Sequence, residues 1–175
     1  MQPVNENFLN LPDSINNKNY FEIERKFLLK TDAWRKEADK GTVIKQGYLN
    51  TQAERTVRVR IRGKQGFLTV KGKTNQATRL EFEYEIPLHD ASQLLALCEQ
   101  PLIEKTRFLV YDKDKTWEID VFEGVNQGLI VAEIELQSES ETFSIPTWLG
   151  AEVTQDARYY NSNLIKNPYC NWGKE

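Results

Sequence analysis

Glu22-Ile23-Glu24-Arg25-Lys26 opens a series of segments in which charged residues occur at every second position. Successive side chains of a β-strand point to opposite faces, so Glu22, Glu24 and Lys26 would share one face. The same spacing recurs along the chain, and most segments carry charges of one sign: Arg58, Arg60 and Arg62; Lys71 and Lys73; Glu81, Glu83 and Glu85; Lys105 and Arg107; Glu118 and Asp120; Glu133 and Glu135. This pattern predicts strands that each have one charged and one apolar face.

Two interpretations of the charged face are open. An antiparallel sheet with one buried face shows the same alternation, and the charged side chains then simply meet solvent. However, a solvated surface is better served by interspersed signs than by signs that are segregated by strand. The segregation favours a surface that binds a ligand made of a polyanion and a metal cation.

Length and composition narrow the class of protein. The chain has 175 residues, of which 39% are hydrophobic, and this suits one domain with a real core. The net charge of -3 argues against a nucleic-acid binder that relies on overall charge. No apolar run reaches the ~18–20 residues of a membrane span, and the first twenty or so residues lack the features of a signal peptide. We therefore expect a cytoplasmic protein without membrane or nucleic-acid partners, with Cys98 and Cys170 as reduced thiols.

Periodicity and turn residues predict eight strands, at 20–29, 43–50, 56–62, 66–73, 78–87, 102–111, 115–122 and 129–137. Helices are expected at 32–38, at 90–99, and after Ser144, where Pro146 suits a first helical turn. Residues 1–19 are polar and rich in Asn, so they are predicted to form an extension that precedes a single domain spanning 20–175.

Eight antiparallel strands can close into a barrel, which removes exposed strand edges. The apolar face is too large to be left in water, so we expect helices, or a second subunit in a homodimer, to cover it. The charged face would then line a hydrated interior. The predicted fold class is therefore α+β, an eight-stranded antiparallel closed β-barrel with helices packed on the outside.

The same segments resemble the CYTH superfamily, the triphosphate tunnel metalloenzymes. The stretch that begins at Glu22 is similar to the ExExK signature of this family, and the resemblance spans roughly 21–164. It continues in order through Gln46-Gly-Tyr48-Leu, Val57-Arg-Val-Arg60, Leu68-Thr-Val-Lys71, Glu83-Tyr-Glu85-Ile, Glu104-Lys-Thr-Arg107, Glu118-Ile-Asp120-Val-Phe, Val131-Ala-Glu133-Ile-Glu135 and Glu152-Val-Thr-Gln-Asp156-Ala-Arg158-Tyr. The resemblance implies a tunnel that binds a triphosphate in its interior.

The charged residue types suit such a ligand. Guanidinium and ammonium groups hold phosphate oxygens, and the candidates for this role are Arg58, Arg60, Lys71, Lys73, Lys105, Arg107 and Arg158. Carboxylates suit a hard divalent cation, Mg²⁺ or Mn²⁺, and the candidate ligands are Glu22, Glu24, Asp120, Glu133 and Glu135. A supporting role, in which a carboxylate holds a basic residue in place, is expected for Glu81, Glu83, Glu85 and Glu118. For any one carboxylate, an internal salt bridge is the alternative.

Lys26 and Tyr48 are the candidate catalytic residues. The inorganic triphosphatase branch of the family has a Lys and a Tyr at the matching positions, and the resemblance implies that they act as a dyad. Lys26 could position a water beside the phosphate, and Tyr48 could fix or tune its ammonium. The alternative for Tyr48 is a packed aromatic ring whose hydroxyl meets a backbone group.

The resemblance implies a metal-dependent hydrolase that cleaves a phosphoanhydride bond of inorganic triphosphate. One alternative is an organic triphosphatase, acting on a nucleoside or thiamine triphosphate, or an adenylate cyclase of the same superfamily. The bacterial cyclases tend to carry His-Phe ahead of ExExK, whereas this chain has Tyr20-Phe21, which disfavours a cyclase. A further alternative is a non-catalytic sensor of polyphosphate or nucleotide, and the presence of Lys26 and Tyr48 argues against it.

Overall fold

A computed structural model describes residues 20–73, 75 and 78–173 of the chain. Within these ranges the strands are β1 (Phe21–Leu29), β2 (Thr42–Asn50), β3 (Arg55–Arg62), β4 (Gln65–Gly72), β5 (Thr78–Ile86), β6 (Ile103–Asp112), β7 (Lys115–Phe122), β8 (Ile130–Glu135) and β9 (Leu149–Glu152). The first eight confirm the predicted strands to within two residues at each end. The predicted extension at 1–19 lies outside the described residues.

Eight of the strands form a closed antiparallel barrel. They follow the order β5-β4-β3-β2-β6-β7-β8-β1, and a further pairing of β1 with β5 completes the circle. This last pairing joins Phe21 to Leu80, Glu22 to Arg79 and Ile23 to Thr78. The other edge of β1 pairs with β8 over a longer register, from Glu24 to Leu28. The predicted α+β barrel is therefore confirmed.

The short strand β9 was not predicted. It lies along the same edge of β1 as β5 does, beyond the point where the β1–β5 pairing ends. It pairs Glu152 with Phe27 and Leu149 with Leu29. Gly150 allows the close approach, because a Cβ at this position would lie 2.9 Å from the carbonyl oxygen of Leu28. One edge of β1 is thus shared by β5 and β9 in succession.

Two α-helices are present in the described ranges, α1 (Leu88–Leu97) and α2 (Asn161–Lys166). The helix α1 matches the prediction at 90–99, and the predicted helix at 32–38 is a 3-10 helix, Asp32–Lys36, whose first turn is capped by Thr31. The helix predicted after Ser144 is wrong. Its apolar residues Trp148 and Leu149 are buried in the core. The segment forms backbone hydrogen bonds with the edge of β1, which it could not form if its own backbone groups were paired within a helix.

Three apolar clusters surround the barrel walls. The first packs the outer face of β1, β6, β7 and β8 around Trp117, whose ring meets Phe27 at 5.7 Å and Trp148 at 5.5 Å between centroids. The second lies under α1, where Gly66 lets Ala91 approach the sheet. In the third, Leu164 and Ile165 of α2 pack against inward-facing side chains, so the C-terminal segment fills one end of the barrel.

Several large apolar side chains stay exposed, among them Val43 of β2, Leu97 of α1 and Tyr111 at the end of β6. Both Cys98 and Cys170 are free thiols. No helix in the described part of the chain is long and apolar enough to cross a membrane.

Candidate active site

The barrel encloses a cavity of about 700 Å³. Strand register builds its wall, because residues that pair across antiparallel strands point to the same side of the sheet. Lys26 lies opposite Glu133, which in turn lies opposite Glu118. On the other side of the barrel, Arg58 lies opposite Tyr48. The alternation in the sequence therefore places the charged face on the inside.

Most of the predicted site residues line this cavity. They are Glu22, Glu24, Lys26, Tyr48, Arg58, Arg60, Lys71, Lys73, Glu81, Glu83, Arg107, Glu118, Glu133 and Glu135. The structure brings these side chains together, and the role of each stays a prediction.

Four predicted residues do not line the cavity. Lys105 and Asp120 pair with one another at the filled end of the barrel, where their side chains are 2% and 0% exposed. Arg158 lies on the surface, where it pairs with Asp156 at 2.7 Å, and Glu85 is exposed at the end of β5. Direct contact of these four with a ligand in the cavity is therefore not supported by their positions.

Lys26 reaches the cavity between two carboxylates. Its Nζ atom donates hydrogen bonds to Glu24 and to Glu133, and the residue is 8% exposed. Burial disfavours the ammonium, but the facing Glu133 and Glu24 outweigh burial and raise the pKa of Lys26 above its ordinary value. The lysine is therefore held charged, and in the described structure its ammonium bonds to these carboxylates and not to Tyr48.

Tyr48 is buried on the β2 side of the same cavity. Burial raises the pKa of its phenol, although the positive charges of Arg58, Arg79 and Lys26 oppose the shift. Its hydroxyl is therefore protonated at neutral pH and can donate a hydrogen bond. The ring also packs against the apolar cluster around α2, so the packed-aromatic alternative and a role in the cavity are compatible.

The basic side of the cavity is built on β3 and β4. Arg58 donates to Thr69 at 3.2 Å and to Glu83 at 3.1 Å, and Arg60 donates to Glu83 at 2.7 Å. Burial and the neighbouring guanidinium of Arg58 lower the pKa of Arg60 to about 10. The lowered pKa of Arg60 shows that positive charge is crowded here, which favours an incoming anion.

Lys71 extends this basic side toward β1 and β5. Its Nζ atom lies 3.0 Å from Glu22 and 2.7 Å from Glu81. Burial and Arg58 lower the pKa of Lys71, while its two carboxylate partners oppose that shift. The lysine is thus anchored between acidic side chains within reach of the open cavity.

Arg107 links the basic and acidic sides. Its guanidinium donates to Asp120 at 2.6 and 2.7 Å, to Glu133 at 2.7 Å, and also to Glu118. Asp120 thereby holds Arg107 and Lys105 in place, which is the supporting role that was predicted for other carboxylates.

Arg79 is a cavity residue that the sequence prediction missed. It pairs with Glu22 at 2.5 Å across the β1–β5 closure and lies 4.0 Å from Glu24. Its position two residues before Glu81 fits the alternation, but β5 was interpreted as an acidic strand. The cavity is further lined by Arg62, which belongs to the alternating series of β3. Other lining residues carry no such signal, among them Thr154, Gln155, Tyr160, Asn161, Ser162 and Asn163.

The acidic side crowds several carboxylates together. Burial and the charges of Glu22, Glu118 and Glu24 raise the pKa of Glu135. Burial likewise raises the pKa of Glu118, with Arg107 opposing the shift. Among the described residues, no three Asp, Glu, His or Cys side chains stand grouped as a ready metal site. The donor chemistry nevertheless fits a hard divalent cation, since all the candidate ligands are carboxylate oxygens. Glu22 and Glu133 are also paired with basic side chains, which lower their pKa.

Known proteins share this sequence and fold. The chain is 49% identical over 152 residues to an inorganic triphosphatase of Acetivibrio thermocellus, covering 86% of this chain and 97% of the relative. It is 36% identical over 148 residues to an inorganic triphosphatase of Nitrosomonas europaea, covering 82% and 95%. The crystal structure of the inorganic triphosphatase NE1496 superposes with a TM-score of 0.60 at 35% identity, covering 82% of this chain and 93% of that one.

The sequence profile of the CYTH domain matches residues 21–167, which include the whole barrel and all the residues that line its cavity except Tyr20. The chain therefore belongs to the CYTH domain family.

Proposed function

We propose that this protein is a metal-dependent inorganic triphosphatase that cleaves a phosphoanhydride bond of tripolyphosphate. The observation that carries the proposal is the division of one enclosed cavity into a basic side, on β3 and β4, and an acidic side that faces it. The basic side suits a chain of phosphates, and the acidic side suits the divalent cation that accompanies it. The names of the two relatives, both inorganic triphosphatases, support the proposal.

The basic side chains would hold the phosphates. Arg58, Arg60, Lys71, Lys73 and Arg107 retain this role from the sequence prediction, and Arg79 joins them because of its position. Most of these cations are already paired with carboxylates. A phosphate would therefore compete with Glu83, Glu81 and Glu22 for these basic side chains. Because the carboxylates already hold the basic side chains in place, phosphate binding would require little reorganisation of the protein.

The acidic side would hold the cation, Mg²⁺ or Mn²⁺. Glu22, Glu24, Glu133 and Glu135 are the proposed ligands, and Glu118 replaces the enclosed Asp120 as a candidate. When bound, the cation would neutralise phosphate charge and lower the pKa of water that attacks the phosphorus. Carboxylates bind a cation in their ionised form, so a bound cation would oppose the rise in the pKa of Glu135 and Glu118.

Lys26 would act as a charged hydrogen-bond donor. Because its pKa is raised, it stays an ammonium at neutral pH and cannot serve as a general base. It can instead orient the attacking water and stabilise the charge of the phosphoryl group in transfer. Tyr48 would contribute its phenol hydroxyl as a second donor.

A second candidate function is hydrolysis of an organic triphosphate. The residues that line the cavity include Tyr20, Phe21, Phe82 and Tyr84, and the rings of Tyr20 and Phe82 lie 4.8 Å apart. Aromatic rings at this place could stack against a nucleoside base or a thiamine ring. The cytoplasmic location and the homodimer stay predictions beside either function.

A parallel substrate assay tests the proposal. Phosphate release is measured from tripolyphosphate, ATP and pyrophosphate, each with Mg²⁺, with Mn²⁺ and with a chelator. The proposal predicts metal-dependent release that is fastest from tripolyphosphate. Faster release from ATP would favour the second candidate, and release that persists in chelator would contradict the assigned cation.

A further inference from the structure

The segment Glu152-Val153-Thr154 lies against β1 beside Lys26, and the proposed chemistry gives it no role. Lys26 turns both of its backbone polar groups toward this segment. Its N–H donates to the Thr154 Oγ1 atom at 3.0 Å, and its C=O accepts the N–H of Val153 at 2.8 Å. At Lys26, therefore, a threonine side chain takes the place that a backbone carbonyl of a neighbouring strand would occupy.

The edge of β1 is without a paired strand at this point. The pairing with β5 ends at Ile23, and the pairing with β9 begins at Phe27. Lys26 is buried, and a buried backbone N–H without a partner is unfavourable. The hydroxyl of Thr154, itself 7% exposed, supplies that partner.

Thr154 is in turn fixed by its own neighbours. Its hydroxyl donates to Glu152 Oε1 at 2.7 Å, and the same carboxylate oxygen accepts from Arg25 Nε at 2.8 Å. A second hydrogen bond joins Arg25 to Glu152, and the Tyr160 hydroxyl donates to the carbonyl of Thr154 at 3.3 Å. These hydrogen bonds run from Lys26 through Thr154 and Glu152 to Arg25, which precedes Lys26 on β1. The network therefore ties Thr154 to two consecutive residues of β1.

We propose that Thr154 is a positioning residue for Lys26. Its hydroxyl accepts from the Lys26 N–H and donates to Glu152 at 2.7 Å, with the Lys26 carbonyl oxygen at 3.5 Å as a more distant acceptor. These contacts fix the backbone from which the ammonium enters the cavity. A small displacement of that backbone would move the ammonium away from the reacting phosphate, and misplacement of about 1 Å lowers rates strongly. The kinetic part of this inference rests on the proposed triphosphatase function.

Three variants test the inference. Thr154→Val keeps the shape of the side chain and removes the hydroxyl, whereas Thr154→Ser keeps the hydroxyl. Thr106→Val is the matched control, because Thr106 donates to Glu123 at 3.0 Å away from the cavity. For tripolyphosphate we expect Thr154→Val to lower kcat about tenfold or more and to change KM by less than about twofold. Thr154→Ser should restore kcat, and the control should match the wild type.

Amide hydrogen exchange provides a readout that needs no activity. The Lys26 amide should be protected in the wild type and in Thr154→Ser, and it should exchange faster in Thr154→Val, while the amide of Val59 keeps its protection. If the wild type did not cleave tripolyphosphate, the proposed function would fail, and faster exchange at Lys26 alone would still support the hydrogen bond. Unchanged exchange at Lys26, or an unchanged kcat in an active Thr154→Val, would overturn the positioning role.

Discussion

At the scale of single residues, side chains that share one strand face do not all reach the cavity, although the alternation of the sequence does not distinguish them. Lys105 and Arg107 share a strand face, yet Arg107 lines the cavity and Lys105 is enclosed between Asp120 and the ring of Phe122. Alternation predicts which face a side chain is on. It does not predict how far along the barrel the cavity extends, because that depends on the remote residues of α2 that fill one end.

Arg79 and Arg158 show two further limits of sequence patterns. Arg79 stands in a strand whose other inward charges are acidic, so a prediction by dominant sign passes over it. Arg158 lies in a 3-10 turn, Ala157–Tyr159, where the alternation of strands has no meaning. Lys26, Tyr48 and most of the charged positions could be predicted because they lie within regular strands.

Glu135→Gln should make the protein without metal slightly more stable at neutral pH. Burial and the neighbouring carboxylates raise the pKa of Glu135, so the folded state holds this proton more tightly than the unfolded state does. Its ionisation therefore costs stability as the pH rises above the ordinary carboxyl value. Allowing for solvent screening, we expect the Tm in chelator at pH 7 to rise by about 1–2 °C.

The pH dependence gives this prediction its control. Well below the ordinary Glu pKa of about 4.3, where the Glu135 carboxyl is protonated in both the folded and the unfolded state, the difference between Glu135→Gln and the wild type should vanish. Glu54→Gln, which alters an exposed turn residue, should not change the Tm. A Tm for Glu135→Gln below that of the wild type at pH 7 in chelator would show that the carboxylates do not repel one another as described.

At the scale of elements, β1 is the strand on which the site depends. It carries Glu22, Glu24 and Lys26 into the cavity, and it pairs with β5, β8 and β9. The eight barrel strands could be predicted because each has local alternation and turn residues at its ends. The strand β9 could not, because its four residues are too few to show a period, and its partner lies more than a hundred residues earlier in the chain.

Gly150→Ala should weaken the attachment of β9 to β1. The added Cβ would lie 2.9 Å from the carbonyl oxygen of Leu28, so the two strands must separate. We expect a loss of about 1–3 kcal/mol in the free energy of unfolding, measured by urea denaturation. Gly72→Ala is the matched control in another strand, since its Cβ would meet Leu80 at an ordinary 3.5 Å. Equal stability of the two variants would contradict the close contact at Gly150.

At the scale of the whole molecule, the barrel places opposite charges in one enclosed space. The β1–β5 pairing that completes the circle is short, and the Glu22–Arg79 ion pair lies across it. The same two residues face the cavity, so a ligand that binds there would contact the barrel wall where β1 pairs with β5. Binding and the stability of the closed barrel should therefore be coupled.

Tripolyphosphate in chelator, where no hydrolysis is expected, should stabilise the barrel. A ligand that binds only the folded state adds about 2.7 kcal/mol at 100 times its Kd, which corresponds to a rise in Tm of roughly 5–10 °C for a domain of this size. Sulfate at matched ionic strength is the control for salt effects. Arg58→Gln should reduce the rise, and the absence of any rise in the wild type would argue against a triphosphate site in the cavity.

The most direct test compares tripolyphosphate turnover by the wild type and by Lys26→Ala, with Mg²⁺ and with chelator, alongside equilibrium binding of tripolyphosphate in chelator. We predict metal-dependent turnover by the wild type and a kcat lower by about 10²–10³-fold in Lys26→Ala, as for loss of one charged donor to a transition state. Binding should persist in the variant, and Lys45→Ala, on the outer face of β2, should behave as the wild type. Tight binding without turnover by the wild type, or an unchanged kcat in Lys26→Ala, would contradict a triphosphatase that works through this cavity.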